Sequence, residues 1–476
     1  MPPADRQRAA RTVTGPCPAG AARALLRAAV LAAAGAAAAA APAAPPPASG
    51  PAPAAPAERP YDPRAGIEES GRIPKVELPP DLEHPERWRY IPEGRIKPGN
   101  VLERFLVTTF IAPFVFFDEE VGFGGGVAIT DIDFRTQRRR EFAGIALSYT
   151  TEGQQRYTIR WRRRLHHRDL PQGGVIFDER SELVALGGYE RTLTRRFFGL
   201  GPDTRERDET DYLEEVSFLG AGLELALPRA AGDWVVEFGL SAQHTNLSRG
   251  RVDDEPDTKD VFPELFAAGD RHDSLWVTLG LRLDTRDSEV NPYRGFHLGA
   301  TATLAPVQTH GLFGATLGLE ASWVVAVPGL FHRGGDPDEA HPPTDTVALG
   351  ARLWWTEGRL PFWALPTLGG QNTLRGFVPN RWTDRAAWHA ALEYRFWFIP
   401  RGFALTESIR IERIGAALFF EAGSVAARVE KFGTAGIKPS GGLGLRFTLE
   451  RSALFRADLG FSEDGTNLAL GFGVSF

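Results

Sequence analysis

Cysteine and methionine are almost missing from this chain: 476 residues hold one of each, Cys17 and Met1. A single cysteine excludes an internal disulfide framework and a zinc site built on paired thiolates. Positive charge is also scarce, with 54 Lys and Arg against 60 Asp and Glu and a formal charge of −6. Six arginines and two acids fall in residues 1–60, so residues 61–476 carry 48 basic and 58 acidic groups. Such an acidic body offers no electrostatic footing for phosphates, and nucleic acid is not an expected partner. After residue 45 no apolar run reaches the ~18 residues of a membrane-spanning helix. Neither G-x-S-x-G nor H-E-x-x-H occurs, so no enzyme, metal or cofactor is expected; a barrel-borne hydrolase needing no local motif is the remote alternative.

What the chain does hold is glycine, proline and aromatics: 52 Gly, 36 Pro, 31 Phe and 11 Trp. With turn residues at short intervals, this composition points to an all-β protein. The front end is separate. Arg6, Arg8, Arg11, Arg23 and Arg27 precede an apolar run over Ala28–Ala40 and an Ala/Pro-rich tail. That order reads as a secretory signal over residues 1–44, the alternative being an alanine tract without targeting value. Cys17 precedes the run and would leave with the signal. Residues 45–100 read as a Pro-rich, non-globular periplasmic arm, with Pro85–Asn100 aromatic enough to pack locally.

From Val101 to the end the pattern is strict alternation. Leu275, Val277, Leu279, Leu281 and Leu283 share one face, opposite Trp276, Thr278, Gly280 and Arg282. Phe313–Val325 repeats the form, as do Trp234–Ala242, Phe296–Leu304, Val347–Trp355, Trp388–Phe398, Leu443–Leu449, Phe455–Phe461 and Leu468–Phe476. The second face is Gly, Ser, Thr and isolated charges rather than the Lys, Glu and Thr of a solvated sheet. Strands of ~9–11 residues suit a tilted crossing of a bilayer. Lipid solvates no free backbone edge, so the sheet must close. The expected fold is therefore an all-β transmembrane antiparallel barrel over residues 101–476, with roughly 16 strands at ~20–25 residues each. In the last strand Leu468, Leu470, Phe472, Val474 and Phe476 are expected on one face, with Gly471, Gly473 and Ser475 on the other.

Arg375 stands apart, in the Gly-rich turn Gly369–Phe377 (GGQNTLRGF). An arginine there is either solvated or meets a carboxylate in an enclosed space. Parity places His389, Glu393, Arg395 and Trp397 inward on Trp388–Phe398, and Glu421 and Gly423 inward on Gly415–Gly423. A turn folded into the lumen would bring Arg375 to Glu393 and Glu421, and a guanidinium fork favours such pairing.

LRGF (Leu374–Phe377), LEYR (Leu392–Arg395) and FFEAG (Phe419–Gly423) together resemble the barrel of the BamA/TamA-type outer-membrane assembly family, the bacterial surface-antigen barrels. PFVFFDEEVGFGGG (Pro113–Gly126) is similar to that family's opening strand, and DTRDSEVNPYRG (Asp284–Gly295) to its mid-barrel hairpin. The resemblance covers about Leu102–Phe476. It implies a long loop tucked into the barrel and locked through Arg375, Gly376 and Phe377 onto Glu393 and Glu421. Glu421 departs from the aspartate usual in the family. POTRA modules of ~75 residues precede the barrel in client-handling members, whereas Pro42–Asn100 is too short and aperiodic for one. The implied role is insertion of outer-membrane proteins or polypeptide translocation. A seam between Phe110–Phe117 and Leu468–Phe476, weakened at Gly471 and Gly473 and ending at Phe476, would open to a client strand. A passive pore or structural barrel is the alternative. The expected surroundings are outer-membrane lipid and lipopolysaccharide, with unfolded outer-membrane proteins as clients and a monomeric barrel.

Other motifs read blandly. GFGGG (Gly122–Gly126) lacks the Lys-Ser/Thr ending of a phosphate loop and reads as inward strand glycines. His166 and His167 point to opposite faces of any strand, and Asp253–Asp260 reads as a solvated loop. Arg160, Arg162 and Arg164 share one face, either lining a pore or marking a wet strand end.

Overall fold

The computed structural model describes residues 62, 64–96, 109–118, 121–252, 255–267, 269–404, 410–449 and 453–476. The chain divides into Met1–Ala57, which lies outside the described residues together with the expected signal and Cys17, and Glu58–Phe476.

The second unit is dominated by one sixteen-stranded antiparallel sheet. Its first strands are β2 (Thr109–Asp118), β3 (Gly122–Asp131), β4 (Glu141–Thr150), β5 (Gln155–Arg164) and β8 (Glu182–Phe197). They are followed by β9 (Thr210–Leu227), β10 (Trp234–Arg249), β11 (Arg271–Asp284), β12 (Gly295–Gln308), β13 (Gly314–Val327) and β14 (Asp345–Gly358). The set ends with β17 (Ala386–Ile399), β18 (Ile411–Ala426), β19 (Lys438–Leu449), β20 (Ala453–Ser462) and β21 (Gly465–Phe472). Each strand pairs with the next in this order, so every ladder is local in sequence.

Alternation sets the two faces. On β17, Leu392 and Phe398 are exposed on the outside while His389, Glu393, Arg395 and Trp397 are buried within. The outward leucines Leu279, Leu281, Leu298, Leu319, Leu418, Leu443 and Leu445 repeat this around the wall. Where strands end, aromatics replace the leucines: Trp234, Phe296, Trp323, Phe398 and Phe447 are exposed near one end. An apolar band with an aromatic girdle is what a bilayer solvates.

Connections alternate between the two ends. At the loop end lie residues 198–209, 250–270, 427–437 and the long connection 359–385. At the turn end lie 132–140, 165–181, 228–233, 285–294, 328–344 and 400–410. The long connection crosses the loop end to the far wall. Phe362 stacks within 5.0–5.5 Å (centroids) of Phe197, Tyr212 and Phe266, and Arg381 pairs with Asp464 and donates to Thr204. Such contacts between strands distant in sheet order are made through the interior of a curled wall.

Residues 62–96 correct the expectation of a non-globular arm. β1 (Trp88–Ile91) pairs with β7 (Val175–Asp178), which pairs with β6 (His167–Asp169). Ile91, Ile96, Val175 and Phe177 form a small core beneath them. Buried Arg87 donates to the Ala231 carbonyl at 2.8 Å and pairs with Asp233 at 2.8 Å. Lys75 N donates to Asp338 O at 2.7 Å and Ala340 N to Ile73 O at 2.8 Å. Arg138 makes a two-pronged bond to Glu93 at 3.0 and 2.8 Å. The segment is thus ordered across four turn-end connections, enclosing a cavity of about 990 Å³ lined in part by Ile73, Trp88, Tyr90, Tyr293 and Glu412. It lacks periodicity because its partners are irregular turns, met one residue at a time.

The chain's last residues give a second correction. β21 stops at Phe472, and Gly473 takes a left-handed φ of +73°. Ser475 and Phe476 are then buried, Phe476 among Val324, Ala348 and Ala391. Those three belong to the inward faces of β13, β14 and β17. Phe476 therefore packs inside the barrel instead of ending an outward row, because parity holds only while a strand continues.

Candidate functional site

The long connection is shaped to project one arginine. Its neck is a two-residue ladder between β15 (Thr367–Leu368) and β16 (Trp382–Thr383). Past the neck, Gly369 and Gly370 have φ of +108° and +95°, and a Cβ on Gly369 would lie 2.3 Å from the Val378 carbonyl. Only glycine fits there without strain. Phe377 N donates to Leu374 O at 2.9 Å and Gly370 N to Phe377 O at 3.0 Å, closing the tip into a tight loop. Leu368, Leu374, Phe377 and Trp382 bury themselves against Ala387 and Val425 of the wall. This apolar base fixes the direction in which Arg375 leaves.

Arg375 is fully buried and meets three strands. Its backbone N donates to Glu421 Oε2 at 2.6 Å and its Nε to Glu421 Oε1 at 3.1 Å, on β18. Nη1 reaches Glu393 Oε2 on β17 at 2.8 Å and Asp458 Oδ2 on β20 at 3.0 Å. The guanidinium lies 3.6 Å from the centre of the Phe419 ring, adding a cation–π contact. Burial works against its charge, but Glu393, Glu421 and Asp458 outweigh that and hold its pKa above the ordinary arginine value.

The acids are shared with further cations. Arg395 Nε meets Glu393 Oε1 at 2.7 Å, and Arg446 bridges Glu393 (3.2 Å) and Asp458 (2.5 Å). Arg456 Nη1 reaches Asp458 Oδ2 at 2.9 Å, while Nη2 holds Asn372 Oδ1 of the loop tip at 2.7 Å. His389 Nε2 lies 3.4 Å from Glu421 Oε1, an electrostatic contact without hydrogen-bond alignment. Ser475 Oγ donates to Glu393 Oε2 at 3.4 Å, so the inward tail ends on the same network.

The loop backbone is clamped too. Asn467 Nδ2 donates to the Arg375 carbonyl at 2.9 Å and Ser462 Oγ to that of Gly376 at 2.8 Å. Gly460 lies directly beneath: a Cβ there would sit 2.5 Å from the Arg375 carbonyl carbon and oxygen.

The structure brings Arg375, Gly376, Phe377, Glu393 and Glu421 together, and Glu421 reaches the arginine despite standing where the family usually has aspartate. Sequence reasoning missed Asp458, Arg446 and Arg456. The same alternation identifies them, since Arg456, Asp458 and Gly460 share the inward parity of β20, and Arg446 that of β19. Gly471 and Gly473 do not join the site directly. A Cβ on Gly471 would lie 2.9 Å from the Arg456 guanidinium, so that glycine makes room for a lumenal arginine.

The mid-barrel motif lies at the other end. Asp284 grips Arg286 at 3.0 and 2.9 Å, and buried Arg180 donates to the carbonyls of Asp284 (2.5 Å), Gly232 (3.1 Å) and Arg286 (2.8 Å). That hairpin fastens turns to one another. His167 contacts the Arg138 carbonyl at 2.8 Å. Asp257 caps a short helix by accepting from Lys259 N at 2.8 Å. Arg162 and Arg164 face inward, both paired with Glu182 at 3.1 and 2.7 Å.

An inward loop fastened through an R-G-F tip to acids of three late strands accompanies a match of residues 110–476 to the model of the Omp85 superfamily domain. The chain belongs to the Omp85 superfamily. The resemblance in LRGF, LEYR and FFEAG is thus borne out at that level, and with it a bacterial outer-membrane barrel. Among solved structures this Omp85 barrel is similar to BamA from Haemophilus ducreyi lacking POTRA domains 1–3, at 15% identity and TM-score 0.47 over 77% of this chain and 70% of that one. It is also similar to CdiB from Acinetobacter baumannii (12%, TM-score 0.44, 76% of this chain and 59% of that). CdiB from Escherichia coli gives 11%, TM-score 0.47, and 76% and 60% coverage. The Omp85 chain therefore spans about 60% of the two CdiB chains. No curated protein matches it.

Proposed function

We propose that this Omp85 barrel inserts outer-membrane proteins or passes polypeptides across the outer membrane, without enzymatic chemistry. The observation that carries the reading is the locked loop. A buried network spanning β17 to β20 holds a 359–385 segment inside the lumen, which a barrel serving only as a wall does not need. Family membership supports it. So does the sheet order, which starts at β2 and ends at β21 with no ladder between them among the described residues. In this reading Phe110–Phe117 and Leu468–Phe472 form the seam where an unfolded client strand adds by β-augmentation. Gly471 weakens the pairing of β21, while Gly473 and Phe476 draw the chain end away from the seam and into the lumen. The turn end with residues 62–96 faces the periplasm, and the loop end faces outward. The barrel acts as a monomer.

The second reading is a passive pore, favoured by Arg160, Arg162 and Arg164 on the inward face of β5. Liposomes containing the purified protein separate the two. Insertion of an unfolded barrel substrate is expected; stable conductance with no insertion would leave the passive pore.

A further inference from the structure

On the outside of the wall near the turn end, an ion-pair cluster sits where the apolar band should be. β5 presents Tyr157 and Ile159 outward, and its parity carries on through Trp161 to Arg163. The neighbouring β4 presents Tyr149, Leu147 and Ile145 outward, and the same parity reaches Glu141. Glu141 pairs in register with Arg163. A charged pair has thus replaced apolar residues at the level of the aromatic girdle.

Its carboxylate is saturated. Arg135 binds it in a fork, Nε to Oε2 and Nη2 to Oε1, both at 2.7 Å. Arg163 Nη1 adds a bond to Oε1 at 2.8 Å and Trp161 Nε1 one to Oε2 at 3.3 Å. Glu141 is consequently buried under its partners, while the Arg135 side chain remains 56% exposed and that of Arg163 33%. Arg140 of the same turn donates only to the carbonyls of Arg164 and Leu165. Asp131, the other carboxylate on this face, accepts from Asp133 N at 3.0 Å within its own loop. Three guanidinium groups therefore stand around one acid, with N–H groups of Arg135 and Arg163 left to donate. Arg135 holds φ +55°, a strained setting for a side chain that gains nothing from burial.

Excess positive charge on a lipid-facing surface, beside an interfacial tryptophan and at headgroup depth, has one natural complement. We propose that Arg135 and Arg163 bind the phosphate of an anionic phospholipid headgroup in the leaflet at the turn end, with Trp161 against its glycerol backbone. The identity of that leaflet as the periplasmic one rests on the orientation proposed above; the binding itself does not. An arginine fork suits a phosphate diester, and each cation near an anionic surface contributes on the order of 1 kcal/mol.

Native mass spectrometry of the full chain in detergent, titrated with dioleoylphosphatidylglycerol and separately with dioleoylphosphatidylcholine, tests this. The protein should retain phosphatidylglycerol preferentially, and Arg135→Gln/Arg163→Gln should lower that retention at least about five-fold with phosphatidylcholine unchanged. Equal retention by the double variant and the unaltered protein overturns the proposal. Displacement of phosphatidylglycerol by inorganic phosphate does so as well, marking a free-anion site instead. If the double variant does not fold, Arg163→Gln alone leaves the Arg135–Glu141 fork intact. Unchanged phosphatidylglycerol retention in it is then the overturning result.

Discussion

Two segments without strand character are held by this barrel, and they are held in opposite ways. The long connection 359–385 enters from the loop end and sinks one guanidinium into a dry network with Glu393, Glu421 and Asp458. Residues 62–96 lie across the turn end, tied by separate, partly exposed pairs such as Arg138–Glu93 and Arg168–Asp81, plus backbone bonds. In the first, three acids depend on shared cations, so losing one partner strands the others. In the second, each pair stands alone, and exposed pairs contribute about 0–1 kcal/mol each. One fastening is cooperative and brittle, the other additive and tolerant.

Breaking that comparison begins with Arg375→Ala. Removing the hub of a buried charged network should cost on the order of 3–5 kcal/mol, read as loss of heat resistance of the folded barrel on gels. Unchanged heat-modifiability would mean the arginine carries no load. Gly460→Val comes next, since its side chain would collide with the Arg375–Gly376 backbone. A cost of about 1–3 kcal/mol is expected, with residues 359–385 becoming accessible to protease. Protection of that loop in the variant would place its anchorage elsewhere. Glu393→Gln keeps shape and some hydrogen bonding, so its loss of heat resistance should be smaller than that of Arg375→Ala. A larger loss would move the hub from the arginine to the acid. The smallest effect belongs to the other segment. Glu93→Gln should change barrel stability by less than about 1 kcal/mol, while 1 M salt speeds proteolysis within residues 62–96 and leaves the loop untouched. Equal salt sensitivity of both segments would erase the distinction.

The contrast also explains what could be read from residues alone. Glu393 and Glu421 were legible because a strand's period of two assigns each side chain a face, and an inward acid needs a partner. Asp458 obeyed the same rule, on a strand whose alternation was visible, and needed only to be counted. The order in residues 62–96 was illegible because Arg87, Lys75 and Glu93 find their partners on turns far along the chain, with no repeat to mark them. Phe476 misled for a related reason. The alternation of Leu468 and Leu470 points outward, but a left-handed Gly473 ends the rule three residues before the terminus.

Where that terminus goes has a practical consequence. A Cβ on Gly350 would lie 2.3 Å from the Phe476 ring, so the final side chain already fills the space above that glycine. An affinity handle fused after Phe476 would begin in the interior and would need to pull this ring out before any reagent could grasp it. Purification and labelling of this protein should be designed around a handle in the loop 427–437, where Gly433 and Gly436 have open space around them and nothing in the lumen is disturbed.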